Sequence, residues 1–192
     1  MNGRVETDMK LPFFGRGTHS RTIEAVYGAI VAQARAPAIY REFGIPDTLE
    51  ARFEVLILHL SIVLDRLAAE PAVREIGQGV FDRFCQDMDD HMREMGVGDL
   101  AVPKKMRGVA DAFYGRREAY RLAVESEDAL IASLTRNVYA GVDAGNAREL
   151  ARYILAAKAG LARLSASDAM AGRLVWQNIA AISQTAQNAE FP

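Results

Sequence analysis

From Thr22 onward, apolar residues recur every three or four positions and rarely alternate, so the chain predicts helices and no strand. Ile23, Val26, Tyr27, Ile30 and Val31 mark a first amphipathic helix, behind a flexible tail over residues 1–21. A short helix through Ile39, Tyr40 and Phe43 follows Ala36-Pro37 and ends at Gly44-Ile45-Pro46. Asp47 and Glu50 then stand three apart, the spacing of a capping box in which Asp47 takes an orphan amide. The helix they start carries Leu49, Phe53, Leu56, Ile57, Leu60, Leu64 and Leu67 on one side, and Val55, Leu58, Ile62 and Val63 on much of the other. A helix apolar nearly all round belongs at the centre of a fold.

Arg74 to Met95 predicts the next helix, with Val80, Phe81, Phe84, Cys85, Met88, Met92 and Met95 facing inward and Gly77 and Gly79 loosening its start. Gly96-Val97-Gly98 stops it, and Pro103 sits in the first turn of a new helix, where its missing amide costs nothing. That helix carries Met106, Val109, Ala110, Phe113 and Tyr114, meets a kink position at Gly115, and continues through Tyr120 and Val124. Leu130, Ile131, Leu134 and Val138 give another; Leu150, Ile154, Leu155, Leu161 and Leu164 a longer one; Leu174, Val175, Trp176 and Ile179 the last. The expectation is an all-α fold of seven or eight helices forming one domain over residues 22–192.

Composition narrows the function classes. The 192 residues carry a formal net charge of -2, so the whole molecule has no field that would gather nucleic acid. The single Cys85 forms no internal disulfide and reads as a packed thiol in a reducing, cytoplasmic setting. No stretch reaches the ~18 apolar residues of a membrane span. The N-terminus lacks the apolar region of a secretion signal. Lys10 to Arg16, with Phe13 and Phe14 between cations, offers at most a weak peripheral contact with the inner membrane surface.

Charge is arranged even though it nearly cancels. Asp82, Asp87, Asp89, Asp90, Glu94 and Asp99, against Arg83 and Arg93, leave an excess of four negative charges from the helix ahead of the Gly-Val-Gly break to the residue just past it. Lys104, Lys105, Arg107, Arg116, Arg117 and Arg121, against Asp111 and Glu118, leave the same excess of opposite sign after it. The plain reading is a helix pair tied together by charge across the turn; the functional one is a surface for a second protein.

Asp87, Asp90, His91 and Glu94 share one helical face, which raises an alternative: an all-helical, magnesium-dependent enzyme or carrier for an isoprenoid or quinone-like ligand. Such a site needs a second acidic cluster on a facing helix, and Glu125, Glu127 and Asp128 read as a turn. His59 reads as a hydrogen-bonded core histidine, and His19, His59 and His91 fall in a tail, a core and an acidic face, which does not suit a catalytic triad. No phosphate loop is present either, so no enzyme activity and no cofactor are expected. Met88, Met92, Met95 and Met106 fill core space or form an adaptable apolar surface.

These residues resemble the ubiquinol-cytochrome c chaperone family over about residues 22–140. The resemblance rests on Ile39-Tyr40 before Gly44-Ile45-Pro46-Asp47-Thr48, on Arg52-Phe53 and Leu58-His59-Leu60, and on Asp65-Arg66-Leu67. Above all it rests on Asp87-Met88-Asp89-Asp90 with Arg93 through Leu100, followed by Val102-Pro103-Lys104 and Phe113-Tyr114-Gly115-Arg116 with Tyr120. It implies a non-catalytic assembly factor that holds a newly made membrane subunit or a partner chaperone, as mitochondrial members assist cytochrome b; the chain resembles a bacterial form. The contacts expected on that basis are Asp87, Asp90, Arg93, Glu94, Asp99, Lys104 and Arg116, with Tyr114 and Tyr120 as aromatic anchors.

Overall fold

The computed structural model describes residues 15–123, 126–142 and 146–179, and its organising element is the helix that the sequence makes apolar on every side. That helix, α3 (Leu49–Ala69), buries Val55, Ile57, Leu58, Leu60, Val63 and Leu67 completely. Each such side chain contributes about 1.5–3 kcal/mol of hydrophobic stabilisation, so α3 anchors the core. Its cap is Thr48, one residue after the Asp47 that the spacing favours: the Thr48 hydroxyl accepts from the Ala51 amide at 3.2 Å. Asp47 is drawn away by Arg52, whose Nη2 donates to it at 2.9 Å.

Around α3 lie α1 (Gly15–Ala34), α2 (Pro37–Glu42), α4 (Arg74–Glu94), α5 (Val102–Ala123), α6 (Glu127–Asn137), α7 (Ala147–Ala162) and α8 (Ala166–Met170). A 3-10 turn at Pro71–Val73 joins α3 to α4, and no strand occurs among the described residues. α3 packs against α1, α4, α5 and α7; α1 lies along α4, and α6 bridges α5 and α7. No helix among the described residues is long and apolar enough to cross a membrane.

The differences from the sequence reading have local causes. α1 begins at Gly15, ahead of Thr22, because a helix once nucleated gains a hydrogen bond for each residue added, even through a polar stretch without apolar rhythm. The rest of the expected tail and of the Lys10–Arg16 patch, residues 1–14, lies outside the described residues, as do Val124 and Glu125. Gly77 and Gly79 do not loosen α4 but let neighbours close on it. A Cβ at Gly79 would overlap the Ile23 side chain of α1, and one at Gly77 would press on Leu67 of α3 at 3.2 Å. α5 runs unbroken through Gly115. The helix expected through Leu174, Val175, Trp176 and Ile179 is not formed over Leu174 to Asn178: α8 ends at Met170, Gly172 turns the chain with φ +70°, and Leu174 to Asn178 form a non-helical strap, with the residues beyond Ile179 outside those described. Trp176 on that strap sets its ring edge-on to His59, 5.4 Å away.

Candidate functional site at the α4–α5 hairpin

Gly96 shapes the turn that carries the family-like signature. With φ at +79° it takes the left-handed position that ends α4. The Val97 amide reaches back to Met92 at 3.0 Å and the Gly96 amide to Arg93 at 2.9 Å, the paired bonds of a Schellman motif. The chain then crosses Gly98 to Ala101 and enters α5 with Pro103 in its first turn.

Apolar contacts, not charge, hold this hairpin together. Phe81 and Phe84 of α4 meet Phe113 of α5 with ring centroids 4.8 and 5.9 Å apart, and Tyr114 joins Phe81 at 5.6 Å. The expected ion pairing across the turn is absent among the described residues: no carboxylate lies within 4 Å of Lys104 or Lys105. Arg93 turns to acids of its own side, donating to Asp89 at 2.6 Å and bonding Asp99. At that exposure water screens both pairs, so they dress the turn but do not hold two helices.

The signature side chains divide into two sets. Asp87 belongs to the α1–α4 contact: it accepts from the Tyr27 hydroxyl at 2.8 Å, and Arg83 lies 3.6 Å away. Arg83 also reaches Glu24 at 3.1 Å and places its guanidinium over the Tyr27 ring at 5.2 Å. Burial first, and the Asp87 carboxylate second, push the Tyr27 phenol far above its ordinary range. Arg116 faces inward and grips Glu54 of α3 with both prongs, at 3.0 and 2.9 Å, while Arg117 holds Asp65 at 2.7 Å. Tyr120 is 3% exposed, so its ring packs in the core and presents no anchor to a partner. Helical phase explains this placement: Phe113, Arg116 and Tyr120 lie on the α5 stripe turned toward α3.

The second set stays outside. Asp90, Glu94, Asp99 and Lys104 are exposed, and Tyr114 is 55% exposed. Two apolar residues join them: Leu100, fully exposed, and Met95, 63% exposed, which does not face inward because α4 ends past the core. The α4 pattern extends evenly to Met95, so only the position of the helix end reveals that it is outside. Met92 and Met106 remain half-buried, and Met88 packs against the core. Cys85 is half-buried as well, and burial raises its thiol pKa, which leaves it a packing group.

The acidic face does not assemble a cation site. Among the described residues no group of three or more His, Cys, Asp and Glu side chains is placed to hold a metal. Asp87 is turned to Tyr27, and of the second cluster Glu127 and Asp128 occupy the first turn of α6, where Glu127 lies 3.5 Å from Arg148. His59 is wholly buried, as the sequence implies. Its Nδ1–H donates to the Val55 carbonyl at 2.8 Å, and its Nε2 accepts from Tyr153 at 2.9 Å.

Comparison with known proteins places this hairpin in context. A family model described as ubiquinol-cytochrome C chaperone matches residues 41–176, further toward the C-terminus than the signature residues alone reach. The chain is 24% identical over 115 residues to the ubiquinol-cytochrome-c reductase complex assembly factor 1 of Xenopus laevis. That match takes in 59% of this chain and 58% of the relative, so the chain spans little more than half the length of the curated protein it matches. The crystal structure of the Cbp3 homolog from Brucella abortus is 35% identical and superposes with a TM-score of 0.78, over 85% of this chain and 93% of the other.

Proposed function

The chain belongs to the ubiquinol-cytochrome c chaperone family, and from that membership we propose that it is a non-catalytic assembly factor for a membrane respiratory subunit, with cytochrome b as the client. The observation that carries the reading is the family match over residues 41–176, which includes the whole α4–α5 hairpin. The side chains of that hairpin support it: Asp90, Glu94 and Lys104 stand exposed beside Leu100 without forming an ion pair among the described residues. Charged groups around an exposed apolar centre suit recognition of a macromolecule, since the apolar area supplies affinity and the charges orientation. The magnesium-dependent alternative finds no support in the donor arrangement. The protein acts at the cytoplasmic face of the inner membrane, where a membrane subunit emerges, and works as one unit over residues 22–192. Deleting the gene and measuring cytochrome b and assembled reductase tests the proposal. A fall in both is expected; unchanged levels would refute it. Affinity capture from detergent-solubilised membranes identifies the client directly.

A further inference from the structure

We propose that a groove between α3, α4 and α5, centred on Tyr114, binds an apolar segment of the client through one aromatic side chain that has an acidic neighbour. A hollow of about 160 Å³ lies there, with Phe81, Phe113 and Tyr114 in its wall and Arg74 and Arg117 at its rim. A cavity of that order holds one benzene-sized ring. The wall rings are tilted to one another by 40° and 47°, leaving edges and faces for an incoming ring. Tyr114 is 55% exposed although Phe113 beside it is buried, so an occupant would cover aromatic surface the fold leaves wet.

Charge selects the neighbour. No carboxylate lines this hollow, and no carboxylate lies within 4 Å of Arg74 among the described residues. Arg117 is already held by Asp65 at 2.7 Å, so Arg74 is the group that meets a carboxylate on the segment. A second hollow of about 310 Å³ shares Tyr114 and Arg117 with the first and continues past Glu118 and Arg121, giving the segment's backbone a path. Asp65 and Glu118 on that path pair with Arg117 and Arg121, so the path carries no net positive charge to draw an anionic lipid surface.

The origin of the segment in a client rests on the assembly-factor reading; the chemistry of the groove does not. The probe is a short fluorescein-labelled peptide of Ala, Leu and Ser with a central Phe-Glu pair, titrated into the full chain and followed by anisotropy. Tyr114→Ala and Arg74→Glu are each expected to weaken binding about tenfold; Arg74→Glu should leave the melting temperature unchanged, whereas Tyr114→Ala should lower it slightly through the lost ring contact with Phe81 while the protein stays folded. Replacing Glu in the peptide by Lys should weaken binding to the parent protein and restore it to Arg74→Glu. Absence of binding, or equal binding of a Ser-Glu control, would overturn the proposal. So would tighter binding in Phe191→Ala, which would assign the groove to the chain's own Glu190–Phe191. In cells lacking the gene, rescue of cytochrome b by the parent and equally by Arg74→Glu would sink the groove but leave the assembly role. Peptide binding together with normal cytochrome b after deletion would sink the assembly role and the client origin but leave the groove.

Discussion

His59 is neutral because its surroundings give a proton nowhere to go. It sits fully buried on α3, its Nδ1–H spent on Val55 and its Nε2 occupied by Tyr153, which in turn accepts from Gln33 at 2.8 Å. Burial lowers its pKa from 6.5 to about 4. The unfolded chain therefore takes up a proton near pH 6.5 while the folded chain does not. Stability from this group is complete above pH 6.5 and falls as pH drops toward about 4, roughly tenfold in the folding constant per unit and about 3 kcal/mol in all. Urea unfolding of the parent and of His59→Gln between these pH values checks it: the variant, weaker at neutral pH, should lose that part of the slope. The Arg116–Glu54 pair makes a different demand. The Glu54 side chain is 9% exposed, so Arg116→Ala strands a nearly buried carboxylate and should cost about 2 kcal/mol at pH 7. A variant as stable as the parent in denaturant titration would show that water replaces the arginine.

The α4–α5 hairpin owes its shape to one backbone angle and one apolar contact. Gly96 has φ at +79° with open space around it, so Gly96→Ala should cost about 1 kcal/mol, from backbone strain alone. Gly98→Ala, in equally open space and without a left-handed φ, should cost less; thermal melts that rank the two in reverse would contradict this account. Phe113→Ala removes the ring that joins the two helices and should cost about 3–5 kcal/mol. The helices were legible in the sequence because burial is written in the spacing of Val80, Phe84 and Phe113. Whether a charged side chain is spent or spare was not. Asp87 and Asp90 look alike in the chain, yet Asp87 is taken by a tyrosine 60 residues earlier and Asp90 is left outside. The placement of Arg116 and Tyr120 was hidden for the same reason, since polar and aromatic type suggests an interface while helical phase turns them to α3. Leu100, in a turn that periodicity does not reach, gave no signal of its exposure.

On the scale of the molecule, the opposite charges on the two sides of the turn are not used on one another among the described residues. Asp87, Arg93, Arg116 and Arg117 are spent within the chain, and what remains at one end is Asp90 and Glu94 on α4 and Lys104 and Lys105 on α5, with Met95 and Leu100 exposed at the turn. A fold this close to neutral gains nothing in stability from leaving these groups unpaired. Their removal should therefore be silent in the folded protein and audible only in binding. Asp90→Lys with Glu94→Lys, and separately Leu100→Asp, should shift stability by no more than about 0.5 kcal/mol, because all three positions are exposed. If this end meets the client, each variant should lower the cytochrome b recovered with the protein from solubilised membranes. The charge variant alone should match the parent once salt near 1 M has shortened the screening length to about 3 Å, since the charges then no longer act on the encounter. Leu100→Asp should stay weak at any salt, because what it loses is apolar contact area. Recovery equal to the parent for both variants at low salt would move the client surface off the turn and leave the Tyr114 groove as the remaining contact.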